Sequence, residues 1–243
     1  MQASSIDLVV ALYKFVILLF SVSAHQCAQA WMASRVGDHT ARLEGRVTLN
    51  PIRHIDPIGT LLFPGLMIFG PLLGIPWFGG GVVMGWGKQV PIITRNLKKI
   101  TRDDNLITLA GPLAFLLLVF LSLLLLIVLI LAVPGGREAV RDAITGQVLI
   151  GVASIPEAVA MLGWLMIEVN LGLFFFNVLP IPPLDASRIV RNMLPYNTLN
   201  TFDTIARFGI IVIFIVGGFL VRLFLGPALN LVVAVLAPFY PSH

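Results

Sequence analysis

Eighteen consecutive residues without a charge, Leu116 to Val133 (LLLVFLSLLLLIVLILAV), constrain this chain more than any other feature. A bilayer's hydrocarbon core is about 30 Å thick and a helix rises about 1.5 Å per residue, so the apolar run counted from Asn105 is long enough to cross it. Three further stretches read the same way: about Ile6 to Ala33, Pro156 to Leu179, and Thr204 to Leu225. Ala228 to Phe239 is short for a crossing and is expected to lie in the interface or to re-enter. Between Ile58 and Gly87 the apolar sequence is broken by Pro64, Gly65, Gly70, Pro71, Gly74, Pro76 and the triplet Gly79, Gly80, Gly81. Those residues predict a hairpin or a pair of broken half-helices instead of one straight span. The expected fold is an all-α polytopic membrane protein with about five to six spanning or re-entrant helices, forming one integral membrane domain over residues 1–243.

Composition agrees with that class, since 58% of the residues are hydrophobic and only 12% are charged. The formal charge of +4 does not indicate a nucleic-acid partner, because the basic residues sit in short loops where they act as topology signals. Arg35, Arg42, Arg46, Arg53, Lys88, Arg95, Lys98, Lys99 and Arg102 are nine of the sixteen, and they flank both sides of the Gly/Pro-rich stretch. The positive-inside rule then places both flanks in the cytoplasm, which favours a hairpin entering and leaving on that side, so that residues 34–103 face inside, with the N-terminus and the 134–155 loop outside and the loop after Leu179 inside again. No basic region precedes the first apolar stretch and Lys14 interrupts it, so the first helix is expected to be retained and not cleaved as a signal peptide. The lone cysteine, Cys27, excludes an internal disulfide.

Chemistry concentrates at the end of the first span, in SAHQCAQAW (Ser23 to Trp31). His25 lies 17 residues beyond Leu8, about 25 Å along the helix and so near the inner leaflet. His25 and Gln29 are one turn apart on the same helix face. With glutamate at 26 and histidine at 29 the stretch would read HECAH, the zinc-protease pattern His-Glu-x-x-His. The span from Pro156 descends from the other side and ends in NVLPIPPLDAS, which brings Asp185 to the same depth. Two potential metal ligands thus converge at one level, beside prolines 180, 182 and 183 that stop regular helix. Read from the residues alone, His25 could equally be a satisfied core histidine, and Gln26 and Gln29 could be hydrogen-bonding glue between helices.

Five ordered blocks carry a resemblance: HQCAQAW, GRVTLNPIRHIDPIGT (Gly45 to Thr60), GWGKQVPI, LAGPLAF and NVLPIPPLDAS. Together, from Ser23 to Arg191, they resemble the site-2 protease family of intramembrane zinc metalloproteases, and in particular compact members without a PDZ domain. The resemblance implies a zinc ion held by two histidines one turn apart and a later aspartate, with a glutamate beside the first histidine activating water. His25 and Asp185 match two of the ligands. Gln29 stands at the second histidine and Gln26 at the general base, while Asn177 belongs to the active-site region in a supporting role. An amide at 26 has no useful basicity and an amide at 29 is a poor zinc ligand. Phe115 replaces the asparagine of the AGPxxN block, Ala186 the glycine of PLDG, and Gln89 and Ile93-Thr94 interrupt a KPVPVNP pattern.

The leading expectation is a proteolytically inactive homologue, a pseudoprotease, that still engages single-span transmembrane proteins in the lipid bilayer of a bacterial or archaeal cell. The alternative is an intramembrane zinc metalloprotease inactivated in this sequence at Gln26 and Gln29. A small transporter or channel is a third reading, drawn from the broken hairpin and the intramembrane Glu168. Glu168 is about 13 Å up the helix from Asn177, too far to serve as base, and is expected in a structural hydrogen bond or protonated. His39 and His54 read as ordinary loop residues. VTLNPI alternates apolar and polar residues, which predicts a small β element after the first helix where an unwound substrate could pair.

Overall fold

The protein's structure is a computed structural model that describes residues 5–74, 83–147 and 154–239. Among the described residues four helices are long and apolar enough to cross a membrane: Leu8–Val36 within α1 (Ser5–Val36), α4 (Ile100–Ala132), α6 (Ile155–Val178) and the C-terminal run Gly209–Phe239. Shorter pieces connect them. They are α2 (Thr40–Leu43), α3 (Phe63–Phe69), α5 (Gly136–Thr145), α7 (Asp185–Met193) and α8 (Tyr196–Ala206), and α9 (Gly209–Val212) and α10 (Gly218–Leu236) make up most of the last span.

The helix α6 is the central element, packed against α1, α4, α5 and α10. Its apolar character runs all round, as an interior helix requires, and Val169, Asn170, Leu171, Gly172 and Leu173 are buried in succession. Ser154 and Glu157 start it with a reciprocal capping box, and Pro156 occupies the first turn. By contrast α4, about 50 Å long, turns Leu113, Leu117, Phe120, Leu124 and Leu131 outward, a side suited to lipid. Two intramembrane charges of the bundle meet, with Lys14 Nζ in α1 lying 2.8 Å from Glu168 Oε1 in α6. That contact supplies the structural partner expected for Glu168 and accounts for Lys14 as well.

Two expectations are corrected. Among the described residues there is no β-strand: Arg46 to Asn50 is irregular and Pro51–Arg53 is a single 3-10 turn capped by the Asn50 side chain. Alternation alone did not make a strand there, because the neighbouring carbonyls of Lys88 and Gln89 accept hydrogen bonds from the Arg46 side chain and not from a backbone ladder. Second, Ala228 to Phe239 is no separate piece. It continues the last span through α10, which carries Pro227 internally, and ends in a 3-10 turn. The 134–155 loop also contains α5, whose Gly136, Ala139, Val140 and Ala143 form an apolar stripe buried on α4 and α6.

The Gly/Pro-rich stretch begins as a short apolar half-helix, Pro57–Phe69, and residues 83–93 return as extended backbone without regular structure. Pro76 and the glycine triplet lie outside the described residues, and so does the apex of the expected hairpin.

Candidate functional site

His25, at the inward-facing side of α1, and Asp185, the first residue of α7, are in contact: His25 Nε2 lies 2.6 Å from Asp185 Oδ2. Gln29, one turn after His25, donates from Nε2 to Asp185 Oδ1 at 3.0 Å and also reaches the Thr108 carbonyl of α4. Both carboxylate oxygens of Asp185 are therefore engaged by α1, one by an imidazole and one by an amide. The amide orientation follows from its surroundings, since the oxygen of Gln29 turned to this side would face a carboxylate and a carbonyl.

Two features fix the imidazole. Phe115 stacks on it at 4.8 Å between ring centroids with 24° between the planes. On α4, Gly111 lies against the ring so closely that a Cβ there would collide with it, so helix and imidazole can meet only over a glycine. Gly87 plays the same part for Gln26: a Cβ would come within 2.8 Å of its Nε2. Gln26 is 4% exposed, and its Oε1 has no hydrogen-bond partner among the described residues. Asn177 is also buried, and it donates to the Leu173 carbonyl one turn back in α6 instead of to the broken backbone after it.

These side chains share a cavity of about 840 Å³, lined by His25, Gln26, Gln29, Asn177 and Asp185 together with Asp56, Trp86 to Ile92 in part, and Arg188, Arg191, Phe202 and Asp203. Its walls are held by residues that sequence reasoning did not single out. Asp104, buried in α4, accepts from Arg188 Nε at 3.0 Å and from Asn192 Nδ2 at 2.7 Å, and this anchors α7 and with it Asp185. Across the mouth, Arg191 of α7 and Asp203 of α8 form a bidentate pair at 2.8 Å. Hydrogen bonding to Asp203 raises the Arg191 pKa and lowers that of the carboxyl.

The motif Gly45 to Thr60 and the GWGK block lock onto each other. Arg46, 5% exposed, donates to the carbonyls of Arg53, Lys88 and Gln89. Lys88 N–H donates to the His54 carbonyl, Trp86 N–H to the Gly59 carbonyl, and Thr60 Oγ1 to the Trp86 carbonyl. Asp56 caps the half-helix by accepting from Ile58 and Gly59 N–H, with Pro57 in the first position. His54 is buried beneath this clasp with Nε2 at 2.8 Å from the Thr48 carbonyl. Burial lowers its pKa, helped by Arg46 and His25 and opposed by Thr48. A signal for the clasp was present in the sequence, as polar residues confined to fixed places between Gly and Pro, but which carbonyls they hold is a matter of three-dimensional proximity.

Over 183 residues, 75% of its length, the chain is 34% identical to the protein named "Putative zinc metalloprotease YwhC" of Bacillus subtilis (strain 168), and the match covers 69% of that protein. The chain belongs to the site-2 protease family. "Putative zinc metalloprotease Rip2" of Mycolicibacterium smegmatis is 29% identical over 212 residues, and its namesake of Mycobacterium tuberculosis (strain H37Rv) 28% over the same length. Each of these two matches takes in 87% of this chain and 66% of the relative, so the chain spans about two thirds of the length of the proteins it resembles. No family model and no solved structure matches.

Zinc belongs to this site-2 protease lineage by the names of its relatives, and the donor set here does not fit it. One imidazole, one carboxylate and one neutral amide replace the two imidazoles and a carboxylate of the family pattern, and the amide presents its nitrogen to Asp185. No group of three His, Cys, Asp or Glu side chains suited to a metal occurs among the described residues.

Proposed function

We propose that this chain is a proteolytically inactive site-2 protease homologue, a single integral membrane domain that holds transmembrane protein segments without cutting them. The observation that carries the reading is Asp185: its two oxygens are occupied by His25 and by the Gln29 amide, a hydrogen-bonded arrangement where the family pattern has a metal. Hydrolysis needs an activated water and a group to take its proton, and the Gln26 carboxamide supplies neither. What remains is a polar cavity of peptide-sized volume between intact family blocks, near the cytoplasmic leaflet by the charge pattern of the loops. An unwound segment entering it would find the extended backbone of residues 83–93 as one wall, the role first assigned to the 45–56 region.

The test is photo-crosslinking in native membranes from a benzophenone residue at Ile92. Capture of single-span proteins at full length is the expected result. Capture of nothing that spans the membrane would overturn the reading.

A second reading is favoured by the same geometry. His25 and Asp185 still meet and position 29 still touches Asp185, so the scaffold would accept the family's residues, as in a zinc metalloprotease that the two glutamines have disabled. Zinc per chain separates the cases. Near-stoichiometric metal only in the Gln26→Glu, Gln29→His double variant agrees with either reading, and cleavage of a captured segment by that variant supports the second. Near-stoichiometric metal in the unaltered chain would refute both.

A further inference from the structure

On the side of the α1–α4 pair away from the cavity lies a second concavity, about 460 Å³ in volume and almost wholly apolar. Ala24, Cys27, Ala28 and Trp31 of α1 form one wall, and Ala110, Leu113, Ala114 and Leu117 of α4 the other. It is open to the lipid-facing side, since Trp31, Leu113 and Leu117 are 42%, 58% and 56% exposed. The loop residues Val47 and Leu49 close one end.

The positions 24, 28, 31 and 35 follow one face of α1, so the groove leads in about 16 Å from Ala24 to Arg35 in the last turn of the helix. Arg35 is exposed, its guanidinium carbon stands 5.0 Å from the Trp31 ring centroid, and none of the ion pairs among the described residues involves it. The surface therefore offers an apolar channel, an aromatic ring at its mouth and a planar cation with free donors beyond it. A helix is about 10–12 Å across, so 460 Å³ would hold only about one turn of one, too little to enclose a spanning helix. A single hydrocarbon chain is slender enough. Arginine's fork matches phosphate oxygens, and an aromatic–cation pair at a helix end is suited to the headgroup level of a bilayer.

We propose that this groove binds an anionic phospholipid, with one acyl chain between α1 and α4 and its phosphate on Arg35. The site is separate from the His25 cavity and does not depend on what that cavity does. A bilayer covers every lipid-facing surface with hydrocarbon, so the content of the proposal is selectivity: net negative headgroups are preferred, and through Arg35.

Trp31 reports occupancy directly. In a chain with Trp77, Trp86 and Trp164 replaced by Phe, reconstituted into phosphatidylcholine vesicles, brominated phosphatidylglycerol should reach half-maximal quenching at a mole fraction at least threefold lower than brominated phosphatidylcholine. Arg35→Gln should abolish that difference and leave quenching by phosphatidylcholine as it was. Equal quenching by the two lipids in the unaltered site, or a preference that survives Arg35→Gln, would overturn the proposal, as would a Trp31 shielded from both by a co-purified helix. Should the multiple replacement fail to fold, native mass spectrometry of the otherwise unaltered chain decides: one anionic lipid retained, and lost with Arg35→Gln, supports the site, and the same lipid count in both chains refutes it.

Discussion

Gln29 carries more of the site's architecture than its chemistry suggests, because it is the donor that leaves Asp185 with no unsatisfied oxygen toward α1. Replacing it by Leu, close in size and without a donor, leaves Asp185 Oδ1 short of a partner in a part-buried site, which costs about 1 kcal/mol. Thermal unfolding in detergent should show that loss, and chelator should not change the melting point of the unaltered chain. A chelator-sensitive transition would show that a metal and not the amide joins α1 to α7. Histidine at 29 restores a ligand and, with one ring N–H, can still donate to Asp185 in the metal-free state. Gln29→His alone is therefore expected to gain stability on adding zinc, whereas the unaltered chain gains little. Phe115 enters at the same scale. Its stack on the imidazole excludes water from one side of His25, and Phe115→Asn should admit water there and make the ring nitrogens accessible to solvent exchange by NMR.

Between elements, the pair Lys14–Glu168 sets the register of α1 against α6, the helices that deliver His25 and Asn177 to one depth. Each side chain is mostly shielded, 17% and 20% exposed, so removing one strands the other where water is scarce. Glu168→Leu or Lys14→Met alone should destabilise by about 3 kcal/mol, and the double variant should recover most of it. Single variants within about 0.5 kcal/mol of the parent in a reversible unfolding assay would contradict the pairing. Nothing in the sequence announced that pair, because the two residues are 154 positions apart and each reads alone as an isolated intramembrane charge. The meeting of His25 with Asp185, 160 apart, was more legible, because helix rise fixes the depth of each. Legibility failed where one local rule was trusted against the tertiary setting. Alternation in VTLNPI suggested a strand, although its polar side chains, Thr48 and Asn50, accept from the N–H groups of Asn50 and Ile52 in the same stretch. Thr204–Leu225 and Ala228–Phe239 read as separate pieces, yet α10 runs on through Pro227 between them, as proline in a spanning helix is tolerated when nearby groups take over the freed backbone.

At the scale of the whole molecule, two groups outside the spans tie the extended segment beside the cavity to the bundle, and both weaken in acid. Asp38, fully buried after α1, accepts from Thr40 N–H and Oγ1, from Ile93 N–H at 2.7 Å and from Asn96 Nδ2 at 3.0 Å. Burial pushes its pKa upward, but these bonds outweigh that and hold it below the ordinary 3.8. His54 lies under the opposite end of the same segment, with its pKa held below 6.5 chiefly by burial. In both cases the unfolded chain binds the proton more readily than the folded one. The stabilisation is therefore complete above the unfolded value and is lost as pH falls through the folded one. Two stages follow: a first loosening of the 83–93 segment as pH drops below about 6.5, from His54, and a second below about 3.8, from Asp38. Trp86 sits within that segment, bonded to Gly59 and Thr60, and its emission should shift to longer wavelength in the same two steps. His54→Gln should remove the first step and Asp38→Asn the second. A single transition shared by both variants would mean that the segment is held elsewhere. Because this segment walls the cavity and is held to these two residues by hydrogen bonds outside the spanning helices, acid should release a bound transmembrane segment before it unfolds the bundle. Crosslinking yield from Ile92 falling between pH 7 and 5, with the helical circular dichroism unchanged, is the expected sign.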